Sequence, residues 1–191
     1  VYVPDPTAVG QHMADAAESL AGRGYRVRVL TSARGYDDPT IRYARQELRA
    51  GVEVRRLPCS SGGKRSLAHR LLGQVPFLLQ VVIHGLFTRP LAGIVVSTSP
   101  PMASLAAIII GRIRRVPITY WLMDLNPDQA VVLGSVSERN LLVRAMRWLN
   151  RTIFTHAKSV IVLDRFMAER IQRQYKLSGR MEILPPWPHE Q

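Results

Sequence analysis

Cysteine, lysine and acidic residues are scarce in this chain, and each scarcity narrows what it is. The one cysteine among 191 residues, Cys59, stands in Leu-Pro-Cys-Ser-Ser-Gly-Gly with no second cysteine to pair with and no metal ligand beside it. That excludes an internal disulfide and suits a reducing, cytoplasmic setting. No apolar run reaches the roughly 20 residues that span a bilayer. The N-terminus lacks the basic and apolar regions of a signal peptide, so a soluble or peripheral chain is expected. Neither G-x-G-x-x-G nor G-x-x-x-x-G-K-[ST] occurs, which disfavours a complete small nucleotide-cofactor enzyme. No metal site and no cofactor are indicated.

What is present is a core and a large positive charge. A chain that is 47% hydrophobic is long enough to bury one sizeable core. The net charge of +12 comes from 23 arginines and 3 lysines against 14 acids. Such a balance favours an anionic partner, whether phosphate or an acidic membrane face, although arginine also follows coding bias. The basic residues are spread over loops and helices, and no nucleic-acid motif accompanies them. No nucleic acid is expected as partner.

Along the chain, strand-like and helix-like segments alternate. Tyr2-Val3 reads as the end of a buried strand. A loop, Pro4 to Gly10, and a helix from about Gln11 to Ala21 follow, the helix carried by Met13, Ala16, Ala17 and Leu20. Tyr25 to Leu30 reads as a strand, residues 33–50 as a polar, aperiodic loop, and Gly51 to Leu57 as a strand. Pro58 to Ser66 is a loop containing Gly62-Gly63-Lys64-Arg65. It leads into a long helix, Leu67 to Phe87, with Leu71, Leu72, Val75, Leu78, Leu79, Val82 and Ile83 at helical spacing and Pro76 as an expected kink. This helix either packs on the sheet or lies on a membrane surface behind its basic loop.

Residues 93–99 form the clearest strand, and Pro100-Pro101 start a helix for which Ser99 is a natural N-cap; its hydroxyl can instead contact a sugar. Ile118 to Met123 is a strand, Gln129 to Gly134 a helical turn, and Ser137 or Glu138 to His156 an amphipathic helix. In that helix Leu142, Met146, Leu149 and Ile153 face inward, and Arg144, Arg147 and Arg151 form a ladder elsewhere. Ser159 to Leu163 is a strand, Asp164 an N-cap, Arg165 to Tyr175 a helix, and Met181 to Leu184 a last strand. The alternation predicts an α/β fold: a Rossmann-like, doubly wound, mostly parallel sheet with helices on both faces.

One stretch gathers chemistry, Tyr120-Trp121-Leu122-Met123-Asp124-Leu125-Asn126-Pro127-Asp128, where an apolar run ends in two acids, an amide and an indole around a proline. At the carboxyl end of a parallel strand such groups face the crevice where ligands bind. Alternatively Asp124 or Asn126 caps a helix and Pro127 turns the chain.

Taken in order, the chain resembles the N-terminal domain of a family-4 retaining glycosyltransferase of the GT-B class. Pro4 to Met13 resembles the family's first loop and helix, and Leu20-Ala21-Gly22-Arg23-Gly24-Tyr25-Arg26-Val27-Arg28-Val29-Leu30-Thr31 its entry to the second strand. Val96 to Pro101, Trp121 to Asp128 and Val162 to Met167 are similar to bacterial members acting on cell-surface polysaccharides. The first loop departs from the paired glycines of many members, with Val9 before Gly10, and the family's acidic E-x7-E motif has no counterpart.

The resemblance implies residues 1–184 as the acceptor-side domain and 185–191 as the start of a linker to a missing C-terminal, donor-binding domain. It implies a nucleotide-sugar as co-substrate and a saccharide or lipid-linked acceptor, at or near the inner face of the membrane. Asp124 would be the catalytic residue, orienting the acceptor hydroxyl or stabilising charge at the anomeric carbon. Ser99, Trp121, Asn126 and Asp128 would hold the acceptor, and Thr7 and Gly10 would face the donor diphosphate. A non-catalytic module binding saccharide or an anionic membrane is the competing expectation.

Overall fold

The structure is a computed structural model. It describes residues 1–36, 38, 40–58, 67–100, 102–125, 127–128, 134, 137–175, 177 and 180–187, with the side chains of 67–72 outside the description. The chain divides into two compact units, the first running from Val1 to His84 and the second starting at Gly85.

In the first unit, helix α1 spans Ala8–Gly22 and starts three residues before the expected point. The cause is Thr7, whose extended backbone and hydroxyl, accepting the Gly10 N–H at 3.1 Å, cap the helix ahead of its apolar periodicity. Strand β1, Arg28–Ser32, pairs in parallel with β3, Val52–Leu57. Between them lies a strand where a loop was expected: β2, Gln46–Arg49, antiparallel to β3. Ala50 and Gly51, at φ 44 and 81, close this hairpin as a two-residue turn. Positive φ at both turn residues matches the twist of the flanking strands. β2 carries no apolar alternation because it is an edge strand whose side chains mostly face water; even its Leu48 is exposed.

Tyr2, Ala14, Ala17, Val52 and Val54 form this unit's core. Tyr2 is buried but belongs to no strand; its carbonyl accepts the Asp5 N–H at 3.2 Å in a turn. Arg56, 2% exposed, is satisfied by the Glu47 carboxylate at 2.7 Å and the carbonyls of Val3 and Ala44 at 2.9 and 3.1 Å. It therefore ties the N-terminal segment to the edge strand.

Helix α2 spans Leu67–Phe87, as the spacing predicts, and runs through Pro76. Its inward side differs from the expectation. Gln74, Phe77 and Leu78 are buried, whereas Val75, Leu79 and Ile83 are exposed. The expected loop at 59–66 lies outside the described residues.

The second unit is an all-parallel sheet in the order β4, Ile94–Ser97; β5, Ile118–Leu122; β6, Ser159–Val162; and β7, Met181–Ile183. Helices α3, Ala103–Arg114; α4, Leu141–His156; and α5, Arg165–Tyr175 connect consecutive strands. Val96, Tyr120, Leu122, Val160 and Val162 supply one sheet face to a core completed by Ala107 and Ile108 of α3, Leu149, Ile153 and Phe154 of α4, and Ile171 of α5. In α4, Val143 and Phe154 join Leu149 and Ile153 inside, while Leu142 and Met146 are only half-buried. Asn140 caps α4 by accepting the Leu142 N–H at 2.9 Å, and Asp164 caps α5, as expected, by accepting the Met167 N–H at 2.7 Å. The α/β alternation and mostly parallel pairing hold; the strands form a three-stranded and a four-stranded sheet.

Tyr2 offers a test of the first unit's core. Its hydroxyl is buried with no hydrogen-bond partner among the described residues, and burial, assisted by Glu18, pushes its pKa up to about 12. The folded state thus keeps the phenolic proton to higher pH than the unfolded chain, whose tyrosine titrates near 10. That contribution is complete below about pH 10 and is lost as pH rises through about 12. Tyr2→Phe is expected to gain about 1 kcal/mol at neutral pH by removing the unsatisfied hydroxyl, and to show a shallower alkaline decline. Urea unfolding at neutral and alkaline pH measures both, and a destabilised variant at neutral pH would contradict the assignment.

Candidate active site

β5 is paired on both edges, with Ser97 opposite Trp121 on one side and Leu122 opposite Val162 on the other. Its residues Tyr120, Trp121 and Leu122 are 2–3% exposed, and Met123, just beyond it, is 8% exposed. The first residue past this run able to meet solvent is Asp124, which is half-buried. Among the described residues no hydrogen bond or ion pair engages its carboxylate. Its charge still reaches the interior: the Tyr120 phenol is raised by burial first, then by Tyr175 and Asp124.

Among the described residues, two further polar groups at this carboxyl edge lack partners. The Trp121 indole N–H is buried without an acceptor, its ring lying 6.0 Å from that of Trp187 at 35°. The Thr98 hydroxyl, one residue beyond the last β4 pairing, is also buried and unpaired. A buried donor left unmade costs about 1–3 kcal/mol, so two such groups beside a strand end mark a place where a polar ligand would be stabilised. Thr98 was missed from the sequence, although Ser97-Thr98-Ser99 presents three hydroxyls with equal claim.

Ser99 does not cap α3. The helix begins at Ala103 after a turn in which the Ala103 N–H reaches the Pro100 carbonyl at 2.9 Å, and Met102 occupies the cap position without a side-chain bond. Ser99 is thus too far upstream to reach the first free N–H groups, and its carbonyl accepts the Ser97 hydroxyl at 3.1 Å. Asp128 is heavily engaged. Its two oxygens accept Arg147 Nε at 2.9 Å and Gln174 Nε2 at 3.2 Å, which ties the loop after β5 to α4 and α5. The hydrogen bond that Arg147 donates to Asp128 raises the Arg147 pKa, and Arg147 reaches Glu138 at 3.3 Å as well. Asn126 and most of the expected turn at 129–134 lie outside the described residues. Among those described, no group of three or more His, Cys, Asp or Glu gathers.

Thr7 and Gly10 belong to the first unit, at the N-terminus of α1. Gly10 has a packing reason of its own, since a Cβ there would meet Thr7 Oγ1 at 2.7 Å and the Tyr2 backbone at 3.4 Å. The neighbouring Asp5, 5% exposed and missed from the sequence, accepts the Tyr36 N–H on both oxygens at 3.0–3.1 Å. It closes the first loop against the loop after β1.

In an α/β domain of Rossmann-like build, ligands bind outside the carboxyl ends of the parallel strands, the edge at which these unpaired polar groups stand. The chain belongs to the family described as glycosyl transferase 4-like domain, whose family model matches residues 7–187. It is a glycosyltransferase domain, a transferase with a sugar donor and an acceptor. No curated protein matches it.

The cap geometry predicts coupled stability effects. Thr7→Ala removes the bond to Gly10 N and is expected to cost about 1 kcal/mol. Gly10→Ala pushes the same hydroxyl away and is expected to cost as much or more. The double variant should then cost clearly less than the two losses added, because both destroy one cap. Thermal unfolding of the three variants checks this, and strict additivity would contradict it.

Proposed function

We propose that the chain is the acceptor-side domain of a retaining glycosyltransferase. The enzyme moves a hexosyl group from a nucleotide-sugar to a saccharide or lipid-linked acceptor, in the assembly of cell-surface polysaccharide in the cytoplasm. The observation that carries this reading is that, among the described residues, the half-buried Asp124 just past β5 has no protein partner, and the Trp121 N–H and the Thr98 hydroxyl are left unpaired at the carboxyl ends of β5 and β4. A sugar acceptor is rich in hydroxyls that both donate and accept, so it suits a carboxylate and unpaired donors alike.

In the proposed step the acceptor hydroxyl attacks the anomeric carbon on the face from which the nucleotide departs. The bond from that carbon to the phosphate oxygen breaks, the bond to the acceptor oxygen forms, and the hydroxyl proton passes to the leaving phosphate. Asp124 accepts a hydrogen bond from the attacking hydroxyl and stabilises positive charge at the anomeric carbon. Asn126, Ser99 and Trp121 hold acceptor hydroxyls. Asp128, committed to Arg147 and Gln174, shapes the loop and offers only its remaining lone pairs. The N-terminal end of α1, with its dipole and the Thr7 hydroxyl as donor, would face the donor diphosphate. The nucleotide-sugar is a co-substrate, and no resident cofactor is required. A further C-terminal domain would complete the donor site, so this domain alone should not turn over.

Asp124→Asn in the full-length enzyme tests the reading. It keeps shape and removes charge, so kcat is expected to fall by about a hundredfold or more while KM for the nucleotide-sugar changes little. Near-normal turnover would remove Asp124 from catalysis.

A further inference from the structure

Trp187 lies well away from the strand it follows. β7 ends at Ile183, paired with Val162, and the Leu184 N–H adds one more rung by donating to the Val162 carbonyl at 2.9 Å. Two exposed prolines, Pro185 and Pro186, come next, and the Trp187 ring then lies 6.0 Å from that of Trp121 on β5. In the sheet β6 separates β7 from β5. Two strand spacings are about 10 Å, and the step from Leu184 to Trp187 covers about 9 Å as extended proline-rich chain. The segment therefore crosses the end of β6 and brings an indole to the carboxyl edge at β5.

The two indoles meet on the sheet face that the helices of this unit leave uncovered. Tyr120 and Leu122 belong to the core completed by α3, α4 and α5, and Trp121, between them in the strand, points to the opposite face. Trp121 is 3% exposed, whereas Trp187 is half-buried, so part of the outer indole still meets solvent. Among the described residues the Trp121 N–H has no acceptor. An aromatic surface open to water beside a buried, unanswered donor suits a pyranose. Such a sugar carries C–H groups on one face, which pack on an aromatic ring, and hydroxyls around its rim, which accept hydrogen bonds. Covering Trp121 alone would need only an aliphatic side chain. The prolines restrict the backbone ahead of Trp187, so little conformational freedom is lost when a ligand settles on its ring. Asp124 follows Trp121 by at most about 10 Å of extended chain, a distance that a short saccharide spans.

We propose that Trp187 is an acceptor-binding residue: its indole stacks on the C–H face of a pyranose unit of the acceptor, while the Trp121 N–H beside it donates to one of that sugar's hydroxyls. This deepens the acceptor-side reading and rests on it. It adds to the site a residue far from Trp121 in sequence, brought there by the path of the chain after β7.

Titration of the full-length enzyme with methyl β-glucopyranoside and methyl β-galactopyranoside, followed by NMR, tests it. With at least one of these probes the indole N–H resonances of Trp121 and Trp187 should shift, while that of Trp148, exposed on α4, stays in place. Saturating the protein should transfer magnetisation to the axial ring protons on one face of the sugar. Trp187→Leu keeps apolar bulk and removes the flat ring, so it is expected to weaken glycoside binding about tenfold with the unfolding temperature little changed. Trp187→Tyr restores a ring and should stay within about threefold of wild type. The wild-type titration decides the matter even where a variant misfolds. No shift with either glycoside, shifts confined to Trp148, or unchanged affinity in Trp187→Leu would overturn the proposal. So would equal losses in the two variants, which would assign Trp187 to packing alone. Glycoside binding needs no turnover. Near-normal transfer by Asp124→Asn would therefore remove Asp124 from the reaction and leave this site standing, whereas lost transfer in that variant with no glycoside bound at Trp187 would overturn this inference alone.

Discussion

The hydrogen-bond ladder on both edges of β5 is the constraint on which the second unit depends. A strand paired on both sides has no free backbone group for water, so it tolerates an unbroken buried run, and Ile118, Tyr120, Trp121 and Leu122 are all buried. Polar side chains can then appear only where the ladder stops. Asp124 stands two residues past the last pairing, and its position follows from where β4 and β6 end as much as from its own chemistry. The unpaired Thr98 and Trp121 groups sit at that same edge because the strands run in parallel and terminate together.

The segments legible in the sequence were those whose burial leaves a periodic mark. β3 through β7 and the helices between them showed apolar runs or helical spacing, and their limits fell within a few residues of the expected ones. What escaped was structure held by backbone and hydroxyl contacts. β2 lies in a stretch that reads as polar loop, because an edge strand facing water needs no apolar pattern and its turn uses Ala50-Gly51 in place of the usual Asn-Gly. The early start of α1 rests on one hydroxyl, that of Thr7. Ser99 was assigned a cap from residue type and adjacency to proline, and the turn after Pro100 moved the helix out of its reach. At the site, the identity of the chemistry-bearing stretch was legible, but the difference between engaged and unengaged groups was not. Which donor meets which carboxylate depends on residues far apart in sequence, as with Asp128 and Gln174.

The arginine excess divides along the chain, with an acid-free stretch at residues 54–123 that carries nine Lys or Arg and no Asp or Glu. Outside the acid-free stretch many arginines are spent on carboxylates: Arg28 on Glu53, Arg49 on Glu18, Arg147 on Asp128 and Glu138, Arg173 on Glu169. Such exposed pairs stabilise by at most about 1 kcal/mol each, but they cancel the local field. Within the stretch the engaged arginines bond largely to neutral groups, Arg114 to a carbonyl and Arg112 to an imidazole ring, and Arg56 borrows its acid from the edge strand. Hydrogen bonds to neutral acceptors position a guanidinium without neutralising it. The excess of positive charge therefore falls mainly within residues 54–123, a distinction that net charge alone does not make.

Two acids four residues apart illustrate how environment assigns roles within one loop. Asp128 meets a guanidinium and an amide, so both of its oxygens are occupied and its removal would leave Arg147 with Glu138 alone. Asp124 meets neither, although it is the same residue type and is also half-buried. A carboxylate bonded to two protein donors is held in one geometry and has little left for a ligand. A carboxylate with no protein donor keeps its lone pairs for whatever hydroxyl enters, at the cost of an unanswered charge beside a buried phenol. Folding stability alone would favour giving Asp124 a donor too. That it has none among the described residues is the physical reason for proposing the chemistry there, with Asp128 tied instead to α4 and α5.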